Sequence, residues 1–132
     1  MSTLKVKAIQ NIGGTDLLAP LQSGSAKAWI NFNGTTVTSN TDMTGVRDSF
    51  NVSSLVDVGT GHYTVNFSTA FSNTNYCYTD GGNLDSNGAR TVKSVTQNTN
   101  SFTFRTVGLN VALITSAIFF DPSTVCLAFF GD

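Results

Sequence analysis

Glutamate does not occur in these 132 residues, histidine and tryptophan occur once each, and there are only two prolines and two cysteines. Charged side chains make up 11% of the chain, seven basic against eight acidic for a net charge of −1, with no block of like charge. Such a balance leaves no electrostatic footprint for a phosphate backbone or an anionic membrane, and nucleic-acid binding is disfavoured. Neither a histidine metal site nor a hydrolase triad is expected at the only histidine. His62 follows a turn signal on the polar parity of its run and reads as a solvated turn residue. Asp42, Asp48, Asp57, Asp80 and Asp85 fall on different turns and strands, so spacing supports no carboxylate pair for glycoside chemistry. A non-enzymatic protein is expected. Asn83 to Gly88 imitates the first half of a calcium loop, but Ser94 stands where the bidentate glutamate belongs, and an Asn/Asp turn is expected with no metal or cofactor.

Long hydrophobic runs are missing as well. The most apolar stretch, residues 107–120, is interrupted by Gly108, Asn110, Thr115 and Ser116, too short and too polar to span a bilayer. No apolar run of signal-peptide length follows Lys5 and Lys7, so an unexported chain without membrane insertion is the expectation. Cys77 and Cys126 lie far apart among apolar neighbours, which suits buried, reduced thiols better than a disulfide framework.

What the chain holds in abundance is small and polar: 19 Thr, 14 Ser and 13 Asn. That mix is poor in helix formers and rich in strand and turn residues. Apolar residues recur with period two. Ala26, Ala28, Ile30 and Phe32 alternate with Lys27, Trp29, Asn31 and Asn33. Phe50, Val52, Val56 and Val58 share one parity and end at Gly59-Thr60-Gly61, and Tyr63, Val65, Phe67 and Phe71 answer them across that turn. A hairpin of 50–58 with 62–71 is predicted, with Ile30, Phe32, Phe50, Val52, Val65 and Phe67 pointing inward. A short strand is expected at 76–79, a loop at 80–89, and a second hairpin joining 91–96 to 101–107. The fold class is all-β: an antiparallel β-sandwich or jelly-roll-like knob over 26–132, preceded by an extended arm over 1–25.

Residues 111–120 and 125–130 are apolar on both parities, whereas a domain of this size has one internal core. The surplus face is expected to meet another subunit through Val111, Leu113, Phe119, Phe120, Phe129 and Phe130. Trp29 lies on the polar parity of its strand, and Tyr76 and Tyr78 lead into the 80–89 loop, so these rings are the candidates to show a face. One reading packs them under a loop or against a neighbouring subunit. The other makes Tyr76, Tyr78, Asp80, Asn83 and Asp85 a ligand loop.

The segments Ala26-Lys-Ala-Trp-Ile-Asn-Phe-Asn-Gly-Thr35 and Arg47-Asp-Ser-Phe-Asn-Val-Ser-Ser-Leu-Val-Asp-Val-Gly-Thr-Gly-His-Tyr-Thr-Val-Asn-Phe67 resemble a module of tail fibres and related appendages of tailed bacteriophages, notably those of marine and cyanobacterial hosts. The opening ten residues look like the start of such fibre proteins, and 125–131 is a weaker echo. The resemblance implies a virion component, usually a homotrimer, assembled in the host cytoplasm. On this reading the arm, with Leu4, Val6, Ile9 and Ile12 as alternating anchors, attaches to another phage structural protein, and the knob faces outward toward a host surface glycan. No long shaft separates arm from knob, which keeps a capsid or tail decoration protein as an alternative, with a small lectin-like module outside a virion as the third.

Overall fold

The computed structural model describes residues 24–38, 42–81, 90–109 and 117–131. Nine strands are defined among them: β1 (Ala28–Phe32), β2 (Val46–Phe50), β3 (Val52–Gly59), β4 (His62–Phe67), β5 (Cys77–Asp80), β6 (Arg90–Gln97), β7 (Ser101–Leu109), β8 (Ala117–Phe119) and β9 (Val125–Phe130). They form two antiparallel sheets. The first is four-stranded in the order β2-β1-β9-β5; the second is five-stranded, β3-β4-β7-β6, with β8 pairing the far end of β7. The predicted β-sandwich and both of its hairpins, β3 with β4 and β6 with β7, are present.

Period-two alternation builds the core directly. Ala28, Ile30 and Phe32 of β1 and Val125, Leu127 and Phe129 of β9 face Tyr63, Val65 and Phe67 of β4 and Phe102 and Phe104 of β7, all buried. Aromatic rings carry the contact between the sheets. Phe32 meets Tyr63 at 5.1 Å, and Phe129 meets both Phe67 and Phe102 at 5.1 Å, each edge to face, the arrangement the ring quadrupole favours.

Three expectations about the strands fail, each for a structural reason. Phe50 does not belong to the first hairpin and does not point inward. It ends β2 in the other sheet, directly opposite Trp29 on the outer face, and is 54% exposed. The split falls at Asn51, a left-handed residue (φ 56°) that lets the chain leave one sheet for the other. Its side chain holds the corner: Nδ2 donates to the carbonyls of Lys27 and Thr69, and Oδ1 accepts from the Thr69 amide at 2.7 Å. Asparagine tolerates this backbone because its short polar side chain bonds locally.

Further along, the pairing skips from Val52 opposite Phe67 to Ser54 opposite Asn66. The unpaired Ser53 is a bulge, and one extra residue reverses every later side chain. Leu55 is therefore the buried residue of β3 and Val58 is 52% exposed, while Val52, before the bulge and opposite Phe67, packs partly buried against the core.

Lastly, β9 is apolar on both parities but alternates strictly in burial. Phe129 fills the domain's own core and is not free to meet another subunit; Cys126, Ala128 and Phe130 take the outer face. Both cysteines are free, with Cys77 exposed rather than buried as expected.

A polar knot closes one end of the sandwich. The fully buried Tyr63 hydroxyl donates to Asp121 Oδ1 at 2.6 Å, and the same oxygen accepts from the Gly61 amide at 2.6 Å. Gly34 lies against that hydroxyl so closely that a Cβ would fall 2.5 Å from it, and its amide donates to the Pro122 carbonyl. Burial and then the bond to Asp121 raise the Tyr63 phenol far above its ordinary range, and burial pushes Tyr76 up to about 12. Because the native chain keeps phenolic protons that the unfolded chain releases, the stability these groups supply is complete below their unfolded value of about 10 and is lost as pH rises toward the folded values. The urea midpoint should therefore fall between about pH 9 and about pH 11, and Tyr63→Phe should flatten that slope while lowering the midpoint at neutral pH. A wild-type midpoint independent of pH over that interval would contradict this account.

Candidate ligand groove

Strand register assembles the outer face of the first sheet from segments distant in the chain. Trp29 stands opposite Phe50 on one side and Ala128 on the other, and Ala128 stands opposite Thr79, giving the row Phe50, Trp29, Ala128, Thr79. Directly paired residues share a face. The next row places Asp48 beside Asn31 and Asn31 beside Cys126. Between these rows lies an open groove of about 460 Å³ lined by Trp29, Asn31, Thr79, Asp80, Cys126 and Ala128 among others. The half-buried indole offers an aromatic surface, and an amide and a hydroxyl border the same hollow, while the Asp80 carboxylate is turned to β6. An aromatic platform with convergent polar groups is what recognition of a sugar ring requires.

A second hollow, about 570 Å³, opens beside Phe50, Asn51, Lys27 and Phe71. The polar groups of Asn51 there are spent on the backbone corner, which leaves that hollow less to offer a ligand.

The expected ligand loop is rearranged. Tyr76 is a core residue, 4% exposed, stacked on Phe71 at 4.3 Å with its hydroxyl donating to the carbonyls of Asn98 and Ser101. Tyr78 is partly buried against Phe102, and its hydroxyl bridges to β6, donating to the Val92 carbonyl and accepting from the Ser94 amide. Asp80 Oδ2 accepts from the Val92 amide at 2.8 Å and from Thr91 Oγ1. Tyr78 and Asp80 thus tie β5 of one sheet to β6 of the other, and only Asp80 reaches the groove. Asn83 and Asp85 lie outside the described residues, as do the arm anchors Leu4, Val6, Ile9 and Ile12 and the interface candidates Val111 and Leu113.

Of the remaining interface candidates, Phe119 is 42% exposed beside Ile118 at 45% on β8, Phe120 is half-buried with its ring against Gly108, and Phe130 is half-buried on the outer face of β9. His62 is half-buried rather than solvated. Among the described residues no group of three His, Cys, Asp or Glu could hold a metal ion, and no helix is long and apolar enough to cross a membrane.

Trp29 was legible as an outward ring from parity alone. Its neighbours Thr79 and Ala128 were not, because no local signal pairs β1 and β5 with β9. No family model, curated protein or solved structure matches the chain.

Proposed function

We propose that this chain is a non-enzymatic structural protein of a tailed phage particle, a short trimeric appendage that contacts a host-surface glycan through the Trp29 groove. The observation that carries the glycan reading is the half-buried Trp29 ring beside Asn31 and Thr79 in one groove. The phage reading rests on the likeness of residues 26–35 and 47–67 to tail-fibre modules, and these segments form β1 to β4. Residues 1–25 serve as the attachment arm, with Leu4, Val6, Ile9 and Ile12 seated on another virion protein. Subunits meet through the β8 region, where Phe119, Phe120, Val111 and Leu113 cluster in sequence, and through Phe130. The exposed Ile118 and Phe119 support that surface.

A second reading, decoration of capsid or tail, is favoured by Phe50, whose exposed ring extends the Trp29 row into an apolar strip fit to be covered by a neighbouring protein.

Because Trp29 is the only tryptophan, its emission reports on the groove directly. Titrating the full chain with a panel of oligosaccharides should shift that emission saturably for at least one sugar. Trp29→Ala should weaken calorimetric binding of that sugar by about 2 kcal/mol or more, roughly thirtyfold, as for a buried aromatic anchor. Light scattering of the same samples should give the mass of a trimer; a stable soluble monomer would end the trimer reading. Silence toward every sugar combined with tight binding to empty capsids or tails would replace the appendage with the decoration protein. Sugar binding without incorporation into particles would leave a lectin-like module.

A further inference from the structure

The outer face of the second sheet carries a different chemistry. Arg105 on β7 stands directly opposite Lys93 on β6 and directly opposite His62 on β4. Three basic side chains therefore form one row across adjacent strands, spanning roughly 10 Å over two strand spacings. Like charges set opposite one another in a sheet repel, so the Lys93 and Arg105 pair favours an anion laid between them. Arg105 is held in place by Phe119, with the guanidinium carbon 4.6 Å from the ring centroid. The neighbouring row on the same face is Thr96, Thr103 and Thr64, each opposite the next, with the Thr64 and Thr103 hydroxyls 2.9 Å apart. Basic groups and hydroxyls thus run side by side.

We infer that this face binds an acidic polysaccharide, whose carboxylate or sulfate groups lie across Lys93, Arg105 and His62 while its hydroxyls meet the threonine row. The charge is too sparse for a nucleic acid, which presents a phosphate every 3.4 Å or so along each strand and draws longer basic tracks. The site lies on the opposite sheet from the Trp29 groove and does not depend on it.

His62 adds a pH response. The groups facing it are Arg105 from β7 and Asp57 from β3, with Lys93 one strand further on β6. Asp121, in the segment before β9, turns inward to Tyr63. Burial and then Arg105 hold the imidazole below its ordinary range against the opposing pull of Asp57, and its Nε2 is buried with no hydrogen-bond partner. An anion laid along the row favours the protonated imidazole, so binding and protonation reinforce each other.

The test passes the full chain over immobilised dextran sulfate, neutral dextran and single-stranded DNA. Wild type should bind dextran sulfate in a salt-sensitive manner, ignore neutral dextran, and bind DNA more weakly at equal charge. Lys93→Gln, at an exposed position, and Arg105→Gln should each weaken dextran sulfate binding by about tenfold. Lys93→Gln alone keeps the inference testable should Arg105→Gln misfold. Wild-type binding should tighten between about pH 7.5 and about pH 5.5, and His62→Gln should abolish that change. Equal retention on neutral dextran, full binding by Lys93→Gln, a pH response that survives in His62→Gln, or preference for DNA would each overturn the inference.

Discussion

Phe129→Ala should lower the unfolding free energy by about 3 to 5 kcal/mol, a large share of what a domain of this size possesses. The ring is fully buried on β9, between β1 and β5, and touches Phe67 and Phe102 at 5.1 Å and Tyr76 at 6.1 Å between centroids. Removing it loses the transfer free energy of the ring and leaves a cavity whose walls belong to both sheets, so neither can close over it without parting from the rest of the core. The neighbouring Phe130→Ala lies on the outer face, and its cost within one subunit should stay near or below about 1 kcal/mol. Urea unfolding at two protein concentrations separates the two. The Phe129 loss should be the same at both, whereas any effect of Phe130 should act on association. A Phe129→Ala variant with an unchanged unfolding free energy but weakened self-association would place that ring at a subunit contact and remove it from the core described above.

Gly61→Ala should cost about 2 to 5 kcal/mol, the sum of a left-handed backbone penalty and an overpacking penalty. Gly61 adopts φ +61°, and a Cβ there would meet the backbone nitrogen and oxygen of Phe120 and the hydroxyl of Thr106, each at 2.8 Å. The chain cannot move aside. The Gly61 amide donates to Asp121, and its carbonyl accepts from the Thr106 amide at 2.8 Å, while the Thr106 hydroxyl donates to the Phe120 carbonyl at 2.6 Å. Any shift that relieves the clash therefore opens the knot that also holds Tyr63. Gly24→Ala is the control, since nothing lies within 4 Å of a Cβ there, and it should leave stability unchanged. Thermal unfolding of both variants beside wild type measures the difference; a Gly61→Ala protein as stable as Gly24→Ala would show that the knot yields.

Alternation along the chain was enough to determine the all-β class, the two hairpins and the inward residues Ile30, Phe32, Val65 and Phe67, because which face a side chain takes within one unbroken strand is a local property with period two. Turn residues marked where those runs stop. Everything that depended on the continuity of a run, or on which run lies beside which, was decided by packing. Ser53 carries no letter that distinguishes a bulge from a regular strand residue, yet its bulge turns Leu55 into the core and leaves Val58 outside. Asn51 divides what looked like one strand between two sheets, and so sends Phe50 to the solvent beside Trp29. The aromatic core selects β9 as the strand between β1 and β5, which is why a groove can draw on Trp29, Thr79 and Ala128. The row of Lys93, Arg105 and His62 arises in the same way: a chain with almost no net charge concentrates its basic groups only through the register of three strands. Pairing between distant strands is chosen by the total burial it achieves, a sum over the whole fold that no local stretch of residues encodes.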